Sequence, residues 1–146
     1  LFAIYRGYIN KKKDNTLITE QKKLVEHQKL EVEEKNKEIL DSITYAKRIQ
    51  AAILPPNKLV KEYLKESFIL YKPKDIVAGD FYWMEQKGDA ILFAAADCTG
   101  HGVPGALLTI LGNAFLNEII KSNNVTDPNL IIKQLNDKLV GVFQSN

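Results

Sequence analysis

A long helix followed by a small α+β domain is what the 146 residues predict, and three observations carry that prediction. Residues 15–54 contain no glycine or proline and place an apolar residue at every seventh position, as an extended helix with a seam does. Two strand-like runs, 81–85 and 90–96, flank Lys87-Gly88-Asp89 and read as a hairpin. Beyond them, 106–120 and 130–143 carry apolar residues at helical spacing, so helices cover one face of the sheet.

Composition narrows the function classes. Net charge is +2, with eleven basic and eight acidic residues in 1–54 and nine and ten in the remainder. That balance excludes a nucleic-acid partner. The single cysteine, Cys98, rules out an internal disulfide framework and suits a reducing cytosol.

Leu1-Phe2-Ala3-Ile4-Tyr5, followed by Arg6 and Lys11-Lys12-Lys13, has two readings. It is either the end of a membrane helix with its cytoplasmic basic flank, or a frayed amphipathic start. The apolar piece is far shorter than the ~20 residues of a span. Residues 1–14 are therefore set apart from the linker at 15–54. In that linker Ile18, Val25, Val32, Ile39, Ala46 and Ile53 form one seam position, and β-branched residues there favour parallel dimers. The companion positions hold Gln21, Gln28, Lys35 and Ser42, which makes the pairing weak, and a solvated single helix is the alternative. His27 lies in this helix and reads as solvated.

Pro55-Pro56 ends the helix, because the residue before a proline is pushed out of helical angles. The domain then runs from 55 to 146. Leu59 to Leu64 predicts a short helix and Ser67 to Tyr71 a first strand. Lys74 and Asp75 read as a solvated turn, and Tyr82, Trp83 and Met84 as core. Asp127, ahead of Pro128, is placed to cap the last helix.

The chemistry is concentrated at one end of the hairpin. Ile91–Ala96 is a continuous small or apolar run, so Asp97 emerges where a buried strand first meets solvent. Antiparallel pairing brings Asp80 to the same end. Two hard carboxylates suit Mg²⁺ or Mn²⁺, whereas zinc calls for Cys and His clusters that are lacking. Gly100, Gly102 and Gly105 permit a tight turn and close approach of a ligand to the main chain, and Pro104 suits the first turn of the helix that follows. His101, inside that turn, is open to three roles: acid–base catalysis, contact with phosphate or water, or a loop-fixing hydrogen bond.

Lys72-Pro73-Lys74-Asp75-Ile76-Val77-Ala78-Gly79-Asp80-Phe81-Tyr82-Trp83, with Asp97-Cys98-Thr99-Gly100-His101-Gly102-Val103-Pro104-Gly105-Ala106, closely resembles the SpoIIE-like branch of the metal-dependent (PPM, type 2C) serine/threonine protein phosphatases. The resemblance runs from about Ile43 to the end. It implies the N-terminal part of an αββα-sandwich catalytic domain, behind a coiled-coil linker. It also implies two Mn²⁺ or Mg²⁺ ions, with Asp80 and Asp97 as metal ligands and Cys98 offering its backbone carbonyl rather than its thiol. A metal-bound water would attack the phosphorus, Gly100 and Gly102 would lie against the phosphate, and His101 would be a candidate general acid.

The further implications concern partners. The resemblance implies a phosphorylated anti-anti-sigma (STAS-type) regulator as substrate and an upstream sensor or membrane region, while the seam predicts a parallel homodimer through 15–54. Location would be the cytoplasm or the cytoplasmic side of an inner membrane. The family's later aspartates have no counterpart before Asn146, so this chain by itself is expected to be inactive. The rival reading is a non-catalytic dimeric scaffold with a degenerate phosphatase fold. A sensor-kinase fragment would need a phosphoacceptor histidine, which His27 does not match.

Overall fold

The computed structural model describes residues 1–123 and 125–144, and the chain divides into two compact units, Leu1–Ser42 and Ile43–Asn146. The first helix, α1 (Phe2–Ile53), contributes to both. It starts at Phe2 rather than near residue 15, because one glycine, Gly7, costs a helix only about 1 kcal/mol and open space surrounds it. Within the first unit Thr16 and Thr19 donate back to the carbonyls of Lys12 and Asn15, at 2.9 and 2.7 Å. The seam residues Ile18, Val25, Val32 and Ile39 are 47 to 61% exposed, so this helix buries none of them by itself.

The second unit comprises the end of α1 and α2 (Asn57–Tyr63), β1 (Phe81–Lys87), β2 (Ala90–Ala96), α3 (Gly102–Asn123) and α4 (Pro128–Phe143). β1 and β2 pair antiparallel, Phe81 opposite Ala96 and Lys87 opposite Ala90, around Gly88 at φ +59°. The period of two sorts the faces. Phe81 and Trp83, with Leu92, Ala94 and Ala96 across the pair, meet Leu116, Ile119 and Ile120 of α3 and Ile131 of α4. Small alanines opposite two large rings leave room for the helix. Gly112 of α3 does the same from its side, since a Cβ there would lie 3.3 Å from the Phe81 ring. Each fully buried apolar side chain of this core contributes about 1.5–3 kcal/mol.

Polar residues thread the core at helical spacing. Trp83 Nε1 donates to Asn117 Oδ1 at 2.9 Å, Asn117 to Asn113 Oδ1 at 2.9 Å, and Asn113 to the Ile53 carbonyl at 3.3 Å. The ladder ties hairpin, α3 and the end of α1 together with every partner satisfied.

Asp127 caps α4 as expected, accepting from the Asn129 backbone N–H at 2.9 Å. Trp83 and Met84 are buried, while Tyr82 is half-buried and donates to the Pro55 carbonyl at 3.1 Å. Residues 67–71 form no strand, because no described segment offers them a ladder. Tyr71 instead packs edge-on against Tyr82, ring centroids 5.8 Å apart, and donates to the Asp80 carbonyl at 3.1 Å. Among the described residues α3, over Gly102–Ser122, is long and apolar enough to cross a membrane, but it supplies the fully buried Ile119 and Ile120 of this core.

Candidate functional site at the open end of the hairpin

The register decides where the carboxylates go. With Phe81 opposite Ala96, the next residue outward on each strand is Asp80 and Asp97. Their carboxyls come within hydrogen-bonding reach. That shared hydrogen bond, then desolvation, then repulsion from Asp97 raise the Asp80 pKa above the usual aspartate range. A converging pair of like charges must share a proton or a cation. Hard oxygen donors that repel one another fit Mn²⁺ or Mg²⁺, and neither His nor Cys competes for the position. Among the described residues no third carboxylate, histidine or cysteine joins them. Two of the three later acids are engaged elsewhere: Glu118 accepts from Lys138 at 2.8 Å, and Asp127 caps α4.

The loop carrying Asp80 is clamped from two sides. Gln50, buried near the end of α1, donates to the Ala78 carbonyl at 2.6 Å and accepts from the Ala78 N–H at 2.9 Å. Thr109, buried on α3, donates to the Gly79 carbonyl at 2.7 Å and lies 3.2 Å from that of Ala78. Neither residue stands out as a site residue in the sequence. A signal was there for Thr109, because Thr109, Asn113 and Asn117 form a polar row at helical spacing through an apolar helix.

The second loop rests directly on the first. A Cβ on Gly79 would sit 2.5 Å from the Gly100 carbonyl oxygen and 3.2 Å from that of Cys98. One on Gly105 would sit 2.9 Å from both the Gly100 oxygen and the Gly79 Cα. Gly100 and Gly102 adopt φ +89° and +63°, the left-handed region that favours glycine. The Cys98 carbonyl thus faces the Asp80 loop. Its thiol is pushed up in pKa by burial, with the Thr109 hydroxyl opposing and the fields of Asp80 and Asp97 adding to the rise. A thiol kept protonated is a poor nucleophile, which disfavours a cysteine-phosphatase mechanism.

His101 makes one contact the sequence does not announce. Its Nδ1 lies 2.6 Å from Asp75 Oδ2, across 26 residues. Asp75 is therefore part of the loop cluster and not merely a solvated turn. Asp75, Asp80, Asp97, Cys98, Gly100 and His101 lie in the two loops at this end of the hairpin, and Gly102 opens α3 beside them.

No family model matches the chain, and no curated protein sequence does. A solved structure does match: the SiaA-PP2C domain of Pseudomonas aeruginosa, with 41% sequence identity and a TM-score of 0.65, over 73% of this chain and 43% of that one. The chain thus spans less than half the length of its structural neighbour. Identity at that level, together with the shared fold, supports a PP2C-like phosphatase domain in this chain, a partial α+β fold that follows a long helix.

Proposed function

We propose that this chain carries the N-terminal part of the catalytic domain of a metal-dependent protein serine/threonine phosphatase of the SpoIIE-like branch. The observation that supports this reading best is the convergence of Asp80 and Asp97 at the open end of the hairpin, over a glycine turn. Asp80, Asp97 and the Cys98 carbonyl would hold the first part of a site for two Mn²⁺ or Mg²⁺ ions. Bound there, the ions would lower the pKa of water and neutralise charge on the phosphoryl oxygens. The backbone at Gly100 and Gly102, free of Cβ atoms, leaves room for the phosphoryl group beside the main chain. His101 delivers a proton to the departing seryl or threonyl oxygen.

The substrate in this reading is a phosphorylated STAS-type anti-anti-sigma regulator, and the setting is cytoplasmic signalling downstream of a sensor or membrane region. The linker pairs with a second copy in parallel through residues 15–54. Replacing Val25 and Val32 with Lys is then expected to convert dimer to monomer, since two lysines in a seam with few apolar layers would lack partners. Light scattering reads the mass. An unchanged mass would leave a solvated single helix.

The decisive assay is Mn²⁺-dependent release of phosphate from a phosphoserine peptide by a form of the protein spanning the whole domain. Turnover is expected there, and its absence at any Mn²⁺ concentration would favour the scaffold reading. The 146-residue chain is expected to bind Mn²⁺ weakly and turn over little or nothing. Two octahedral ions need about twelve coordination positions, and two carboxylates with one carbonyl supply few of them. An open apolar groove lined by Phe93, Ile132 and Phe143 is expected to bind a hydrophobic dye. Tight stoichiometric Mn²⁺ binding with turnover by this chain would refute the ligand count.

A further inference from the structure

We infer that Asp75 is a positioning residue whose carboxylate accepts a hydrogen bond from Nδ1–H of His101, leaving Nε2 as the atom through which that histidine exchanges protons at the phosphoryl site. The functional half of this inference rests on the phosphatase reading; the geometric half stands alone.

The contact is built into the backbone. Residues on opposite loops meet at 2.6 Å because the Gly100 carbonyl lies in van der Waals contact with Gly79 and Gly105, where no Cβ fits. The Asp75 side is anchored nearby. Val77 is fully buried, and Ala78 is bonded in both directions to Gln50. The His101 side is anchored by α3, which starts at the next residue. Gly102 at φ +63° curls the chain beside the carboxylate, and a Cβ there would lie 3.4 Å from Asp75 Oδ2.

A carboxylate can only accept from a neutral or charged imidazole, so the partner nitrogen must carry the proton. In water the neutral ring prefers its proton on Nε2, and the acceptor at Nδ1 reverses that preference. The side chains of His101 and Asp75 are 66 and 39% exposed, so Nε2 is accessible to a substrate. A polar contact this exposed adds little to stability, so removing it leaves the fold in place.

In the proposed reaction water oxygen forms the new bond to phosphorus and gives up a proton to solvent. The bond from phosphorus to the seryl oxygen breaks, its electron pair stays on that oxygen, and the oxygen takes a proton from Nε2 of the imidazolium, which becomes the neutral Nδ1–H ring. The ring regains its proton from solvent. Throughout, Nδ1 keeps its proton, hydrogen-bonded to Asp75, so ring orientation is unchanged between turnovers.

The chain has two histidines, and His27 is exposed on α1, which makes it an internal reference. Long-range ¹H–¹⁵N correlation spectra of the ¹⁵N-labelled 146-residue chain, with His101→Gln for assignment, report the tautomer of each. The expected result is protonated Nδ1 at His101, protonated Nε2 at His27, and conversion of His101 to the His27 pattern in Asp75→Ala. A wild-type His101 with the His27 pattern overturns the inference before any variant is made. In a form spanning the whole domain with Mn²⁺, Asp75→Ala is expected to lower kcat on a phosphoserine peptide by about tenfold or more, with KM changed less than about twofold. Unchanged kcat overturns the positioning role. No turnover by the unsubstituted protein overturns the phosphatase reading and the catalytic role with it, while the tautomer result still decides the pairing.

Discussion

Asp97→Asn is expected to reduce Mn²⁺-dependent phosphate release at least about 100-fold in a form spanning the whole domain, with the fold unchanged. The amide keeps the size of the carboxylate, and Asp97 is exposed just beyond β2, so no packing is lost. What disappears is a negative charge at the point where two carboxylates converge. A neutral oxygen is a much weaker ligand for a hard divalent cation. Water activation and charge neutralisation fail together if either ion is lost, and that is why the effect exceeds that of a single hydrogen bond. Phosphate release with a phosphoserine peptide and calorimetric Mn²⁺ titration measure the two consequences separately. Retention of most of the activity would remove Asp97 from the metal site.

Gly79→Ala is expected to have the largest effect on stability of any single methyl added to this chain. The new Cβ would meet a backbone oxygen of Gly100 at 2.5 Å, and a backbone atom cannot rotate away as a side-chain end can. The two loops must separate. Overpacking of this kind costs about 1–3 kcal/mol, which lowers the melting temperature of a unit of this size by roughly 10 °C. Asp80 is the next residue, so Mn²⁺ affinity should fall with stability. Gly88→Asn is the control: Gly88 has φ +59°, open space around it, and a turn position that asparagine tolerates. Its melting temperature should move by only a few degrees. The single tryptophan, Trp83, is buried in the core, so its fluorescence follows the second unit without interference from the long helix. Equal melting temperatures for Gly79→Ala and wild type would mean that the loops do not pack as described.

Several elements were legible in the amino-acid order because their causes are local. The strand-like runs 81–85 and 90–96, with Lys87-Gly88-Asp89 between them, specified the hairpin and thereby the end at which Asp80 and Asp97 meet, although β1 runs two residues further, to Lys87. Asp127 ahead of Pro128 announced a helix start, and its side chain caps the turn it precedes. Pro55 marked where α1 had to stop, and α1 ends at Ile53. The start of α1 was read too late, since a single glycine weakens a long helix without breaking it.

The rest depended on contacts between distant residues. Asp75 has the composition of a surface turn, and its hydrogen bond to His101 exists only because Gly79 and Gly105 let two loops touch. Gln50 looks like any polar residue of a solvated helix, yet it is buried and supplies both partners to Ala78, 28 residues away. Ser67–Tyr71 has strand composition but no described ladder to join. By itself the sequence determined the elements, the turn and the pair of acids at its mouth, because period, glycine and proline act on neighbours a few residues apart. Only the tertiary structure decided which side chain holds the loop, which one holds the histidine, and which apolar run stays out of the sheet. Those outcomes turn on whether a hydrogen-bond partner arrives from elsewhere in the chain, and buried polar groups are stable only where one does.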